Sequence, residues 1–181
     1  FTVRDGNGCT AVTNTNVGEP APLNASITTS DPLCVGSSDG SLEITLTTGG
    51  TAPYQYSVDG SPFGPTTNYT GLSAATYSVA VQDVNGCTFN TSATLNDPPA
   101  LSVMVANQID VSCNGGSDGE VLLMGTGGTG TLEYSADGTN FQPSTAFPGL
   151  SAGAYTFTVR DGNGCTAVTN TNVGEPAPIN A

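Results

Sequence analysis

The sequence predicts an all-β protein built of tandem two-layer sandwiches, on three observations. Apolar residues recur with a period of two and never sustain a period of 3.6; Gly, Pro, Asn and Asp break the runs at short intervals; and the whole pattern repeats along the chain. Alternation of this kind marks half-buried strands, because successive side chains of a strand point to opposite faces of its sheet. Gly, Pro and Thr are poor helix formers, so their abundance tells against helices.

The repetition sets the domain plan. Residues 1–22, FTVRDGNGCTAVTNTNVGEPAP, return letter for letter at 157–178, an offset of 156. A looser copy lies at half that distance, where Asn85-Gly86-Cys87-Thr88 aligns with Asn7-Gly8-Cys9-Thr10 and with Asn163-Gly164-Cys165-Thr166. Other landmarks shift by 78 or 79: Cys34 to Cys113, Asp39-Gly40 to Asp118-Gly119, Gly49-Gly50 to Gly127-Gly128, Tyr77 to Tyr155. Two unlike modules of about 78 residues therefore alternate, and the pair was duplicated as a block. The expected plan is the C-terminal hairpin of a preceding repeat (1–22), two complete repeats (23–99 and 100–178) and the start of another (179–181), a slice of a longer array.

The strands follow in order. Leu42, Ile44 and Leu46 alternate with Ser41, Glu43 and Thr45; Tyr54, Tyr56 and Val58 alternate with Gln55 and Ser57; Tyr77, Val79 and Val81 alternate with Ser78, Ala80 and Gln82. A last strand, Phe89 to Leu95, leads through Asn96-Asp97-Pro98-Pro99 into Leu101, Val103 and Val105 of the next repeat, where Tyr155, Phe157 and Val159 carry the same alternation. Six or seven short strands in under 80 residues, with hairpin turns such as Asn85-Gly86, fit immunoglobulin-like (PKD-like) β-sandwiches. The short, proline-stiffened linkers predict an end-to-end arrangement. Tyr155, at the start of a strand, resembles a tyrosine corner.

Composition excludes most familiar chemistries. There is no His, no Trp and no Lys, and the net charge of −13 sets 15 acids against Arg4 and Arg160 alone. Without His and Lys there is no imidazole base, catalytic dyad, Schiff base or phosphate-loop lysine. An acidic surface with two cations repels nucleic acid and anionic bilayers. No run of about 18 apolar residues is present, so no membrane insertion is expected, and any export signal is expected outside this sequence. The chain reads as a non-enzyme.

Five cysteines fall in two classes, Cys34 and Cys113 before the second strand of a repeat, and Cys9, Cys87 and Cys165 in the turn before its last strand. One pairing is within repeats, Cys34–Cys87 and Cys113–Cys165, leaving Cys9 unpaired; closing these loops contributes roughly 4 kcal/mol each on the chain-entropy model. The other is Cys34–Cys165, across the repeat boundary. It is favoured by immunoglobulin strand order, which puts the two classes at opposite ends of a sandwich, roughly 26 Å apart along an eight-residue strand, against the roughly 7 Å between Cα atoms that a disulfide tolerates. Both pairings stand on sequence alone.

The acids Asp39, Asp118, Asp83, Asp161 and Asp97 sit in turns and a linker, where oxygen ligands could gather a calcium ion. The competing reading is turn chemistry, in which Asp caps its own backbone and no cofactor is needed.

The ordered set Cys113-Asn114-Gly115-Gly116-Ser117-Asp118-Gly119, Gly127-Gly128, Gly149-Leu150-Ser151-Ala152-Gly153-Ala154-Tyr155 and Val159-Arg160-Asp161-Gly162-Asn163-Gly164-Cys165-Thr166 resembles the SprB repeat of large surface adhesins of gliding Bacteroidetes. The first repeat departs from it at Cys34-Val35-Gly36-Ser37-Ser38 and at Ala75-Thr76, and the second has Gly130-Thr131-Leu132 where the first has Ala52-Pro53-Tyr54. The resemblance implies an extracellular, outer-membrane-associated filament, exported by the type IX system, moved by the gliding motor and adhering to a substratum. Its expected partners are neighbouring repeats of its own chain and extracellular polysaccharide or substratum. The alternative is a polysaccharide-binding module using the Gly49-Gly50-Thr51-Ala52 loop and the Asp-x-Asn-Gly turns.

Overall fold

In the computed structural model, which describes residues 1–180, every named element is a β-strand. The leading segment forms a hairpin of β1 (Thr2–Arg4) and β2 (Thr10–Val12). The first repeat contributes β3 (Asn24–Ser30), β4 (Gly40–Thr48), β5 (Gln55–Val58), β6 (Asn68–Leu72), β7 (Ala75–Gln82) and β8 (Thr88–Leu95). The second contributes β9 (Ser102–Ile109), β10 (Gly119–Thr126), β11 (Glu133–Ser135), β12 (Ala146–Leu150), β13 (Gly153–Arg160) and β14 (Thr166–Val173).

Strand order identifies the architecture. The second repeat forms two three-stranded antiparallel sheets, β12-β10-β9 and β11-β13-β14, and the first repeats the order as β3-β4-β6 and β5-β7-β8. Taken as strands A, B, C, E, F and G, these are the A-B-E and C-F-G sheets of an immunoglobulin-type sandwich. Six strands per repeat suffice.

The chain divides into two compact units that do not follow the repeat boundaries: Phe1–Thr28, Ile44–Thr67 and Tyr77–Ser92 form one, and Thr29–Glu43, Asn68–Thr76 and Ala93–Ala181 the other. In the first, Ile44, Val58, Val79 and Val81 are buried. In the second, the core is Val111, Val121, Leu123, Tyr134, Phe157, Val159 and Val173, with Leu101, Phe147, Leu150 and Tyr155 packed against it. The rings of Phe147 and Phe157 lie 4.9 Å apart at 53°, a tilted contact favoured by the ring quadrupoles.

The Tyr155 hydroxyl donates to the Ser151 carbonyl at 3.0 Å, the bond of a tyrosine corner. Arg160 pairs with Glu133 at 2.7 Å and lies 4.0 Å over the Phe141 ring. Both side chains of the ion pair are 41% exposed, so solvent screening leaves it little weight in stability.

Candidate functional site at the repeat junction

Three short segments meet within the second unit: the loop before β4, the linker after β8 and the turn between β13 and β14. Asp anchors each of them. In the loop, Asp39 accepts the Leu33 amide at 3.1 Å and the Ser37 hydroxyl, while the Ser37 amide donates to the Cys34 carbonyl at 3.0 Å. The linker is tied to the loop twice: the Asn96 amide donates to Asp31 at 2.9 Å, and the Gly36 amide to Asp97 at 3.1 Å.

The turn is organised by one buried carboxylate. Asp161 Oδ1 accepts the amides of Asn163 at 3.0 Å and Cys165 at 2.9 Å, and Oδ2 accepts the Thr129 amide at 2.8 Å. Burial pushes the Asp161 carboxyl up, but these amides favour its charged form more strongly and hold it below the ordinary value. Asp83 is lowered against burial in the same way by the amides of Thr51, Cys87 and Asn85. Asp39 is lowered chiefly by the Ser37 hydroxyl, and Asp118 by Ser112.

The linker backbone docks on the double glycine. The Gly128 amide donates to the Pro99 carbonyl at 2.9 Å, and a Cβ placed on Gly127 would stand 1.9 Å from the Ala100 carbonyl oxygen. Within the first unit the same contact forms between Gly50 and the Ala21 carbonyl at 2.8 Å, where a Cβ on Gly49 would stand 1.9 Å from the Pro22 oxygen. Sequence reasoning took these glycines for strand breakers and missed that role; their recurrence as a pair at matching positions of both repeats was the available signal.

At this junction Cys34 and Cys165 form a disulfide, with Cα atoms 5.6 Å apart and a sequence separation of 131. The Asn163 side-chain amide adds a bond to the Leu33 carbonyl at 3.2 Å. Beside the bridge lies an open cavity of about 440 Å³ lined by Val35, Pro98, Pro99 and Leu101.

Cys9, Cys87 and Cys113 are exposed free thiols, so the pairs Cys34–Cys87 and Cys113–Cys165 do not form. Strand geometry is the reason. The loop carrying Cys113 is fixed at the far end of β14, where the Val111 amide donates to the Gly174 carbonyl and the Gly174 amide to Asp110. Cys165 immediately precedes β14, and eight residues of strand, roughly 26 Å, intervene.

The acids considered for calcium, Asp39, Asp118, Asp83, Asp161 and Asp97, each accept backbone amides of turns or loops. Among the described residues, no group of three or more Cys, Asp or Glu side chains is placed to hold a metal ion.

The family model of the SprB repeat matches residues 26–63 and 105–139. Both matched regions are similar to the SprB repeat. The matches start 79 residues apart, at equivalent points, and each takes in the loop cysteine and the double glycine of its repeat. No curated protein matches the chain. Among solved structures, that of an amphioxus IgVJ-C2 molecule is similar at 12% identity over 81% of this chain and 95% of that one, with a TM-score of 0.29. SprB repeats are repeats of cell-surface adhesins, and a disulfide at a repeat junction suits an environment outside the reducing cytoplasm.

Proposed function

We propose that this segment is the stalk of a gliding-motility-type adhesin: an array of sandwiches, arranged end to end, that reaches from the outer membrane to the substratum, is exported by the type IX system and serves by length and resistance to pulling. The observation that carries this reading is the Cys34–Cys165 bridge, which crosses a repeat boundary. A covalent bond there limits how far the chain lengthens under load. The double glycine and Asp-x-Asn-Gly turns, which a polysaccharide-binding reading would assign to ligand, are engaged with the linker and with each other. The net charge of −13 keeps neighbouring filaments apart.

A domain swap tests it. When the repeats in the parent adhesin are replaced by an equally long array of unrelated sandwiches, a stalk function predicts retained adhesion and movement. Loss of adhesion at unchanged length and surface abundance, together with saturable binding of the isolated chain to a polysaccharide, would establish the binding-module alternative instead.

A further inference from the structure

Cys87 and Cys113 remain outside any disulfide, yet each sits in a frame that the bridged pair shares. Around Cys113, the Gly116 amide donates to the Cys113 carbonyl at 2.9 Å and the Ser112 amide to Asp118 at 3.0 Å, matching Ser37 to Cys34 at 3.0 Å and Leu33 to Asp39 at 3.1 Å. Gly36 and Gly115 both have φ of 73°. The following linker is tied in the same way, with the Gly115 amide on Glu175 at 2.9 Å where the Gly36 amide meets Asp97 at 3.1 Å. Around Cys87, Asp83 accepts the amides of Asn85 and Cys87, both at 2.9 Å, as Asp161 accepts those of Asn163 and Cys165.

The surface beside Cys113 is also a counterpart of the occupied one. An open cavity of about 490 Å³ is lined by Ser112, Cys113, Asn114 and Pro176 to Ile179. At Cys34 the corresponding surface, Val35 with Pro98 to Leu101, receives the turn of Gly164 and Cys165. Ile179 holds the sequence position of Leu101, which packs against the second repeat's core, but is itself 99% exposed.

From these matches we infer that Cys113 and Cys87 are the halves of two further inter-repeat disulfides: Cys113 bonds the turn cysteine of a following copy of the first repeat, and Cys87 bonds the loop cysteine of a preceding copy of the second. The occupant of the Cys113 surface is thus an Asp-x-Asn-Gly-Cys turn of another repeat. The inference rests on the array reading above. Each bridge forms one S–S bond from two thiols and passes two electrons and two protons to a disulfide oxidant such as oxidised glutathione, by thiol–disulfide exchange through a mixed disulfide. Every loop cysteine then joins the next repeat's turn cysteine, and no junction of the array is left unbridged.

The test is a chain lengthened by one period, residues 1–181 followed by 26–178, in which both kinds of junction occur and Ile179 is kept. After folding in a glutathione redox buffer, non-reducing peptide mapping is expected to find Cys113 linked to the second copy's Cys87, with Cys113 alkylation confined to the second copy, which has no repeat after it. Cys113→Ser should release the second copy's Cys87 for alkylation and leave the Cys34–Cys165 bridge, the internal control for folding, in place. Cys113 alkylated at both copies while Cys34–Cys165 is formed, or Cys113 bonded to Cys165, overturns the proposal. Mapping reads no adhesion, so this failure is separate from failure of the stalk reading.

Discussion

At the residue scale, the repeated aspartates explain how so polar a chain holds its turns. Asp83 and Asp161 are each only 4% exposed, yet each accepts three backbone amides that would otherwise have no partner. The sign of the resulting pH dependence follows. Carboxyls held below their unfolded value of 3.8 contribute stability that is complete above that value and is lost as pH falls through the lower folded values. Thermal melts should therefore be level at neutral pH and drop steeply below about pH 4. Asp161→Asn should melt lower at neutral pH and show a shallower acid drop; an unchanged acid profile would deny these carboxylates the role. Their placement in turns was legible from Asp-x-Asn-Gly spacing. The third partner, an amide from across the double glycine, was not, since it comes from 32 residues away in sequence.

At the element scale, strand alternation was the most legible feature, and its limits are instructive. It placed Ile44, Val79, Val81, Phe157 and Val159 inward, and all are buried. It placed Leu46 inward as well, but Leu46 is 56% exposed, because alternation says which face a side chain takes and not how far along the strand the opposite layer covers it. Arg160, read only as a rare cation, lies over Phe141, a contact from a loop whose path carries no periodic signal. Two changes on one strand should separate packing from the corner bond. Phe157→Ala removes a ring with 0% exposure and should cost about 3–5 kcal/mol, whereas Tyr155→Phe removes one hydrogen bond and should cost about 1 kcal/mol. Urea titrations of both variants check the order. Equal losses would mean that the ring does not anchor the second repeat's core.

At the scale of the whole molecule, the Cys34–Cys165 bridge decides how the chain meets force. Sequence alone brought the choice down to two pairings through the length of one strand, and could go no further because the choice turns on which loop meets which turn across a linker. With a sequence separation of 131, the chain-entropy model assigns the bridge about 5 kcal/mol, above what either shorter within-repeat loop would supply. Its mechanical effect is larger, because a covalent loop does not lengthen when the sandwiches inside it unfold. Pulled from its ends, the oxidised chain should pay out only the residues outside the bridge. Adding a reductant should release a further length of about 450 Å, the extended span of 131 residues. Single-molecule extension traces with and without dithiothreitol measure this directly. If the oxidised chain already extends to its full contour, the bridge does not form in solution and the stalk loses its strongest support.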